Sequence, residues 1–324
     1  MIRKDCPVVC FLITLRAVST LVEEIIAFLK SNGFESELLV RMGQEVISVR
    51  CGYAGSAAVR CVVPLPVCAD SPSVAQAQSG HLSIVLKSLE TDDLETVVIT
   101  EDRWRLQNDM MKERLLAHLE VFTSLYARNC EVRKIDKDTA AEFLDKNHSY
   151  GDATCRYRYG LYLKRYTGKR GVGSVEPGTL VAVATFSNAR KWQKGDKVIR
   201  SYEWTRYASL PGVRRSGGMG KVLKAFIKDV QPDDIMSYAD LEWSEGAVYE
   251  QLDFNLEGQK ASVVFMVDGL WRRFPVKPGM TEVKPGMTEV KPGMTEGADK
   301  GMTEVRFLQN LGSNKYRLKL TEYE

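Results

Sequence analysis

Residues 201–258 read SYEWTRYASLPGVRRSGGMGKVLKAFIKDVQPDDIMSYADLEWSEGAVYEQLDFNLEG. Tyr202 to Leu210 is rich in aromatic and β-branched residues and stops at Pro211-Gly212, which predicts a strand. Val222, Leu223, Phe226, Ile227 and Val230 then recur at helical spacing until Pro232. Between the two lies Arg215-Ser216-Gly217-Gly218-Met219-Gly220, an R-x-x-G-x-G run in a strand-to-helix turn. The first N–H groups of a helix lack intrahelical partners, and glycine lets a ligand approach them. Such a turn favours anions and reads as a pyrophosphate cradle. Glycine is also used there for its positive φ alone, so the turn needs support from its surroundings.

The residues after the turn supply that support. Ile235 to Ala239 predicts a short buried strand. Ser244 is placed to cap a helix carrying Ala247, Val248 and Leu252 on its apolar face, with Phe254 at its end. The order strand, R-x-x-G-x-G, helix, strand, A-x-Y-E-x-L-x-F resembles the GNAT superfamily of N-acetyltransferases. That resemblance implies an α/β (α+β) fold, with a mixed, mainly antiparallel sheet flanked by helices. It implies acetyl-CoA or another acyl-CoA as donor, its pyrophosphate held by Arg215, Ser216, Gly217, Gly218, Met219 and Gly220. It gives Tyr249 the part of general acid on the departing thiolate and Glu203 that of base, with Asp240 beside them. Where the family usually has Gly before the Phe, this chain has Asp253.

A narrower resemblance rests on Glu203-x-x-Arg206, on Ser237-Tyr238-Ala239-Asp240 and on Gly246-x-x-Tyr249. It is similar to phage Mom-like DNA-modification proteins and to the C-terminal part of phage homing-endonuclease-like proteins. Those carry an F-L-x-x-N-H-x-x-G segment, matched here from Phe143 to Gly151. It implies a DNA or RNA partner and places His148 and Arg206 toward it. The alternative it leaves open is a nucleic-acid-associated protein of mobile-element origin that uses no coenzyme A.

Working outward, 324 residues with 44% hydrophobic and 27% charged content suit an ordinary globular chain of two domains. A net charge of +3 is far from that of a dedicated nucleic-acid binder. Seven cysteines are scattered without a C-x-x-C, which reads as reduced thiols in a cytoplasmic protein. With three histidines, a metal site is not expected. No apolar run reaches the roughly 20 residues of a membrane span, and Pro7 to Leu15 reads as a first strand rather than a leader.

The N-terminal residues 1–129 predict a small α/β module: a helix from Thr20 to Leu29, paired strands Glu37 to Arg41 and Glu45 to Cys51, and strands Ala58 to Val63 and Glu95 to Thr100. Asp70 to Gly80 reads as a loop or weak helix, and Trp104 to Tyr126 as one long helix. A metal-dependent nuclease would need two acids and a Lys across a strand. Glu45-Val46-Ile47 lacks the Lys, and Glu101 and Asp102 lack a partner pattern. A scaffold or interaction module is the preferred reading.

Residues 130–324 predict the GNAT-like domain. Its strands include Glu131 to Ile135, Tyr157 to Leu163, Leu180 to Phe186 and Gln259 to Val267, and a short helix runs from Asp138 to Leu144. Arg306 to Asn310 and Tyr316 to Leu320 are expected to close the sheet. Arg190, Lys191, Trp192, Lys194, Lys197 and Arg200 form a basic segment expected to border the cleft and bind polyanions. A solvated strand face is the simpler reading of such charges. Arg206 is alternatively an ion-pair partner of Glu203 or Asp240. Val276 to Glu296 holds three copies of V-K-P-G-M-T-E, and Pro-Gly in every copy excludes a helix. The stretch 277–303 is expected to be a disordered insertion.

Overall fold

The computed structural model describes residues 19–51, 58–165, 175–244, 246–276 and 305–322, with the backbone alone for 214–216. The strand expected at Pro7 to Leu15 and the repeat at 277–303 lie outside these residues.

Helix α1 (Thr20–Ser31) starts where the Ser19 side chain accepts from the Val22 N–H, and it buries Leu21, Val22, Ile25 and Leu29. Strands β1 (Ser36–Arg41), β2 (Gln44–Cys51) and β3 (Ala58–Leu65) form an antiparallel meander. Helix α2 (Pro72–Thr91) crosses over to β4 (Glu95–Thr100), which lies parallel to β3 at the sheet edge. Ser71 caps α2 and Pro72 occupies its first turn, so the stretch read as a loop or weak helix is a full helix. Leu82, Val85 and Leu89 of α2 pack on one face of the sheet, and α1 packs on the other.

The long helix expected from Trp104 to Tyr126 is broken. Helix α3 (Glu101–Leu106) ends at Gln107, whose φ of −125° is not helical, and α4 (Asn108–His118) follows. Strand β5 (Thr123–Tyr126) comes next. Met111, Leu115 and Leu119 pack into the N-terminal core, whereas Leu125 packs into the second one. The helical spacing runs across two cores and is accidental.

The second unit is an eight-stranded mixed sheet. Its strands are β6 (Cys130–Lys134), β7 (Tyr157–Leu163), β8 (Leu180–Phe186), β9 (Arg190–Lys194), β10 (Lys197–Ser209), β12 (Asp234–Asp240), β13 (Asn255–Lys260) and β17 (Ser313–Lys319). The order is β13-β17-β12-β10-β8-β7-β6, with β9 hairpinned onto β10, and every pairing is antiparallel except β10 with β12. The fold is therefore α+β with a mixed, mainly antiparallel sheet. Helix α5 (Lys137–Asn147) covers one face and α6 (Gly218–Val230) the other. Phe226 of α6 stacks on Phe186 with ring centres 3.9 Å apart, and Tyr157, Tyr159 and Tyr202 meet it edge-on.

Between β10 and α6, β11 (Val213–Ser216) pairs in parallel with β5, tying the two units together. Helix α7 (Ala247–Glu250) is a single turn capped by Gly246 at φ 98°, not by Ser244. Asp253, which precedes Phe254, takes the left-handed φ of 64°.

The C-terminal strands depart from the expected arrangement. β13 ends at Lys260, and β14 (Val264–Val267), β15 (Arg273–Pro275) and β16 (Arg306–Gln309) form a separate sheet in the order β15-β14-β16. Val267 and Leu308 pack against Leu82, Val85 and Leu89 of α2. Arg306 to Asn310 thus covers the N-terminal unit, and β17 alone returns to the large sheet. Among the described residues no helix is long and apolar enough to cross a membrane.

Candidate functional site

The parallel strands β10 and β12 pair only over Ser201–Glu203 against Asp234–Met236. Beyond that point they part. β10 carries a bulge at Thr205, between Trp204 and Arg206, as it runs along β8. The gap is bridged by side chains. Ser237 Oγ donates to the Trp204 carbonyl at 3.1 Å, and Ser237 Oγ and the Tyr249 hydroxyl lie 2.9 Å apart. Tyr249 stacks on Tyr316 and meets Trp204 edge-on. Burial raises its pKa, so the phenol keeps its proton.

Side chains alternate across β10. Tyr202 and Trp204 pack in the α6 core, which puts Glu203 on the opposite face. Among the described residues the Glu203 carboxylate has no hydrogen bond or ion pair. Arg206 does not pair with it or with Asp240, as the sequence allowed. Its Nε donates to the Gly151 carbonyl at 3.1 Å and its Nη1 to the Thr205 carbonyl at 2.9 Å. Burial lowers the Arg206 pKa.

At the end of β10 the chain turns through β11 into α6. Gly217 caps the helix at φ 74° with no side-chain cap, and no acidic residue lies in the first turn. The Lys221 N–H donates to the Gly217 carbonyl and opens the helical ladder, which leaves the N–H groups of Gly218, Met219 and Gly220 without intrahelical partners. The side chains of Arg215 and Ser216 lie outside the described residues. Lys221 turns away and donates to the carbonyls of Ala127 and Cys130. Gly220 is half-buried, and a Cβ there would come 3.1 Å from Leu252 Cδ2. A substitution at Gly220 therefore disturbs packing as well as any ligand.

The other expected residues fall into three places. Asp240 ends β12 as a turn former, Oδ1 accepting from the Glu242 N–H at 3.1 Å and Oδ2 lying 3.5 Å from Arg103 Nη1. Both its oxygens thus serve the turn and the pairing with Arg103. His148 ends α5, and its Nδ1 accepts from the Tyr150 N–H at 3.1 Å. Burial, then Arg206, Arg114 and Arg103, hold its pKa down to about 3. The ring is neutral with its proton on Nε2, so it has no lone pair to act as a base. Arg190 and Lys191 lie exposed on β9, opposite Ser201 and Arg200. At about 3.3 Å per residue that ribbon runs away from the bulge, not along it.

Sequence reasoning missed a charged junction between the two units. Arg103 lies 2.8 Å from Glu242, Arg273 of β15 pairs with Asp102 and donates to Thr100 Oγ1 at 2.7 Å, and Glu101 Oε2 accepts from the Val67 N–H. Asp102, Arg103 and Glu242 are buried. The E-D-R-W run after β4 was the available signal, but Glu242 and Arg273 are remote from it in sequence. Among the described residues no group of three His, Cys, Asp or Glu is arranged to hold a metal ion. No family model matches the chain, and no curated protein matches it.

Proposed function

We propose that this chain transfers an acyl group from acyl-CoA to an amine, in the manner of a GNAT-like acyltransferase. The observation that carries the reading is the parting of β10 and β12 after three paired residues, with a bulge at Thr205 and the Tyr249 hydroxyl in the gap. A gap in a parallel pair leaves backbone groups for an extended ligand arm, and the uncapped α6 terminus, reached from β10 through β11, offers N–H groups for its phosphates. Strand order and the left-handed Asp253 support the same reading.

In this scheme Glu203 and Tyr249 work from opposite faces of β10. The acceptor nitrogen attacks the thioester carbonyl carbon, and Glu203 takes the nitrogen's proton. The C–S bond breaks, and Tyr249 gives its proton to the sulfur. Ser237 holds the Tyr249 hydroxyl in line.

Calorimetric titration of the parent and of Arg215→Ala with coenzyme A tests the reading. Binding by the parent and at least tenfold weaker binding by the variant are expected. A parent that binds no coenzyme A overturns it. A second reading, association with nucleic acid, is favoured by the ribbon β9–β10, where Lys194 faces Lys197 and Lys191 faces Arg200. Arg200 is already paired with Asp233 at 3.3 Å, so it is the Lys194–Lys197 pair whose like charges cost stability and point to an external anion. Loss of single-stranded DNA binding at low salt on neutralising Lys191, Lys194 and Lys197 is its expected signature. Unchanged binding overturns it.

A further inference from the structure

A second feature stands apart from the α6 turn. β4 is an edge strand of the N-terminal sheet and β13 an edge strand of the large sheet. A groove of about 950 Å³ lies between them. One wall is the α2 stripe Ser83, Leu86, Lys87 and Glu90, and the other is the segment Gln259 to Ser262. Leu241 and Trp243 make its floor, and β4 runs along it from Leu94 to Val98.

The edge of β4 is only partly used. The Val98 N–H donates to the Glu242 carbonyl at 2.8 Å, which begins a further strand pairing and then stops. That bond fixes the direction of the backbone groups: those of residues 96, 98 and 100 point away from β3. Thr96 N–H, Thr96 C=O and Val98 C=O therefore face the groove, and among the described residues they have no partner. Over the roughly 13 Å from Leu94 to Val98, a strand of about four residues completes the pairing. Two lysines flank this edge. Lys87 has no ion-pair partner among the described residues, and Lys260 has none beyond the face of Tyr238. Of the two acids that line the groove, Glu95 pairs with Arg60 at 2.8 Å, a guanidinium it shares with Glu120 at 2.9 Å, and Glu90 has no ion pair among the described residues.

We infer that this groove is a peptide-binding site in which an extended, acidic segment of another protein adds a strand to the edge of β4. Main-chain bonds to Thr96 and Val98 would give the affinity. Leu86, Leu241 and Trp243 would receive one set of alternating side chains, and Lys87 and Lys260 would select acidic ones. The inference does not rest on acyl transfer, since no group of the α6 turn takes part.

Panning the full chain against a displayed random heptapeptide library, then titrating the enriched peptides as acetylated synthetic forms, tests it. Thr96→Pro removes the outward N–H at an edge position that tolerates proline. The expected result is enrichment of peptides bearing Asp or Glu, bound at least tenfold more weakly by Thr96→Pro. N-methylation of the peptide backbone at alternate residues should abolish binding. The double variant Lys87→Glu with Lys260→Glu lies on the surface and gives a second reading if Thr96→Pro fails to fold; it too should weaken binding at least tenfold. No enrichment, or equal binding by parent and variants, overturns the inference. Concentration-dependent dimerisation of the parent that Thr96→Pro abolishes assigns the edge to a second copy and also overturns it.

Discussion

Among the described residues β4 runs almost directly into α3 and β11 into α6, and the two turns differ in charge. At the first, Glu101 and Asp102 fill the helix N-terminus with the chain's own carboxylates. Glu101 accepts from Val67 N–H, and Asp102 is tied to Arg273. At the second, the cap is a left-handed glycine, the first turn has no acid and no side chain caps it. Both termini carry the same partial positive charge. Neither has a side-chain cap; one has two carboxylates in its first turn and the other has none. The contrast separates a turn that holds the fold together from one available to a ligand, and glycine content alone does not make that distinction.

The largest expected effect comes from breaking the ion pair at the acidic turn. Asp102→Ala leaves Arg273 without its main partner, and removing one member of a buried pair costs about 3–5 kcal/mol. Urea denaturation should show that loss, with coenzyme A binding to the surviving native fraction unchanged.

Next comes acid. His148 is held down to about 3 by burial and neighbouring arginines, and His118 to about 4 by burial and Arg60. Both sit below the usual histidine value, so the unfolded chain binds more protons than the native one below about pH 6.5. Stability is then full above that pH and falls as pH drops toward 4 and then 3. Urea midpoints measured between pH 4 and 6.5 should lose up to one proton of slope in His148→Asn, and likewise in His118→Asn.

The open turn is tested by closing it. Gly217→Asp puts a carboxylate where the α6 dipole favours one, and Asp tolerates the left-handed conformation better than most residues. Stability should change by about 1 kcal/mol or less, while coenzyme A affinity falls at least tenfold. If affinity is retained, the open terminus is not the anion site. The smallest effect is expected from removing one repeat, residues 283–289, which should leave the melting temperature unchanged.

Much of the large sheet was legible in the sequence because its signals are local. The β7 and β8 bounds follow from continuous apolar and aromatic runs, and α6 follows from Val222, Leu223 and Phe226. The glycine turn and the lack of acids in its first helical turn were legible, but the contact of Gly220 with Leu252 was not, since it depends on packing between distant segments. What failed was non-local. Asp240 reads as a reacting acid, and only the structure shows Arg103 and the Glu242 N–H on its carboxylate; His148 reads as facing a nucleic acid, and only the structure shows its Nδ1 accepting from the Tyr150 N–H. Arg306 to Asn310 has the pattern of a closing strand, and only its packing on α2 shows which sheet it joins.

The placing of β15 and β16 bears on heredity. They lie on either side of β14 rather than beside each other. The chain between them, which includes the V-K-P-G-M-T-E copies, must cross only two strand spacings, roughly 10 Å. Each copy corresponds to a whole number of codons. A slip of the replication machinery that adds or drops a copy keeps the reading frame, and both anchoring strands remain paired to β14. A change of copy number at this point is therefore heritable without a shift of frame and without moving either anchoring strand.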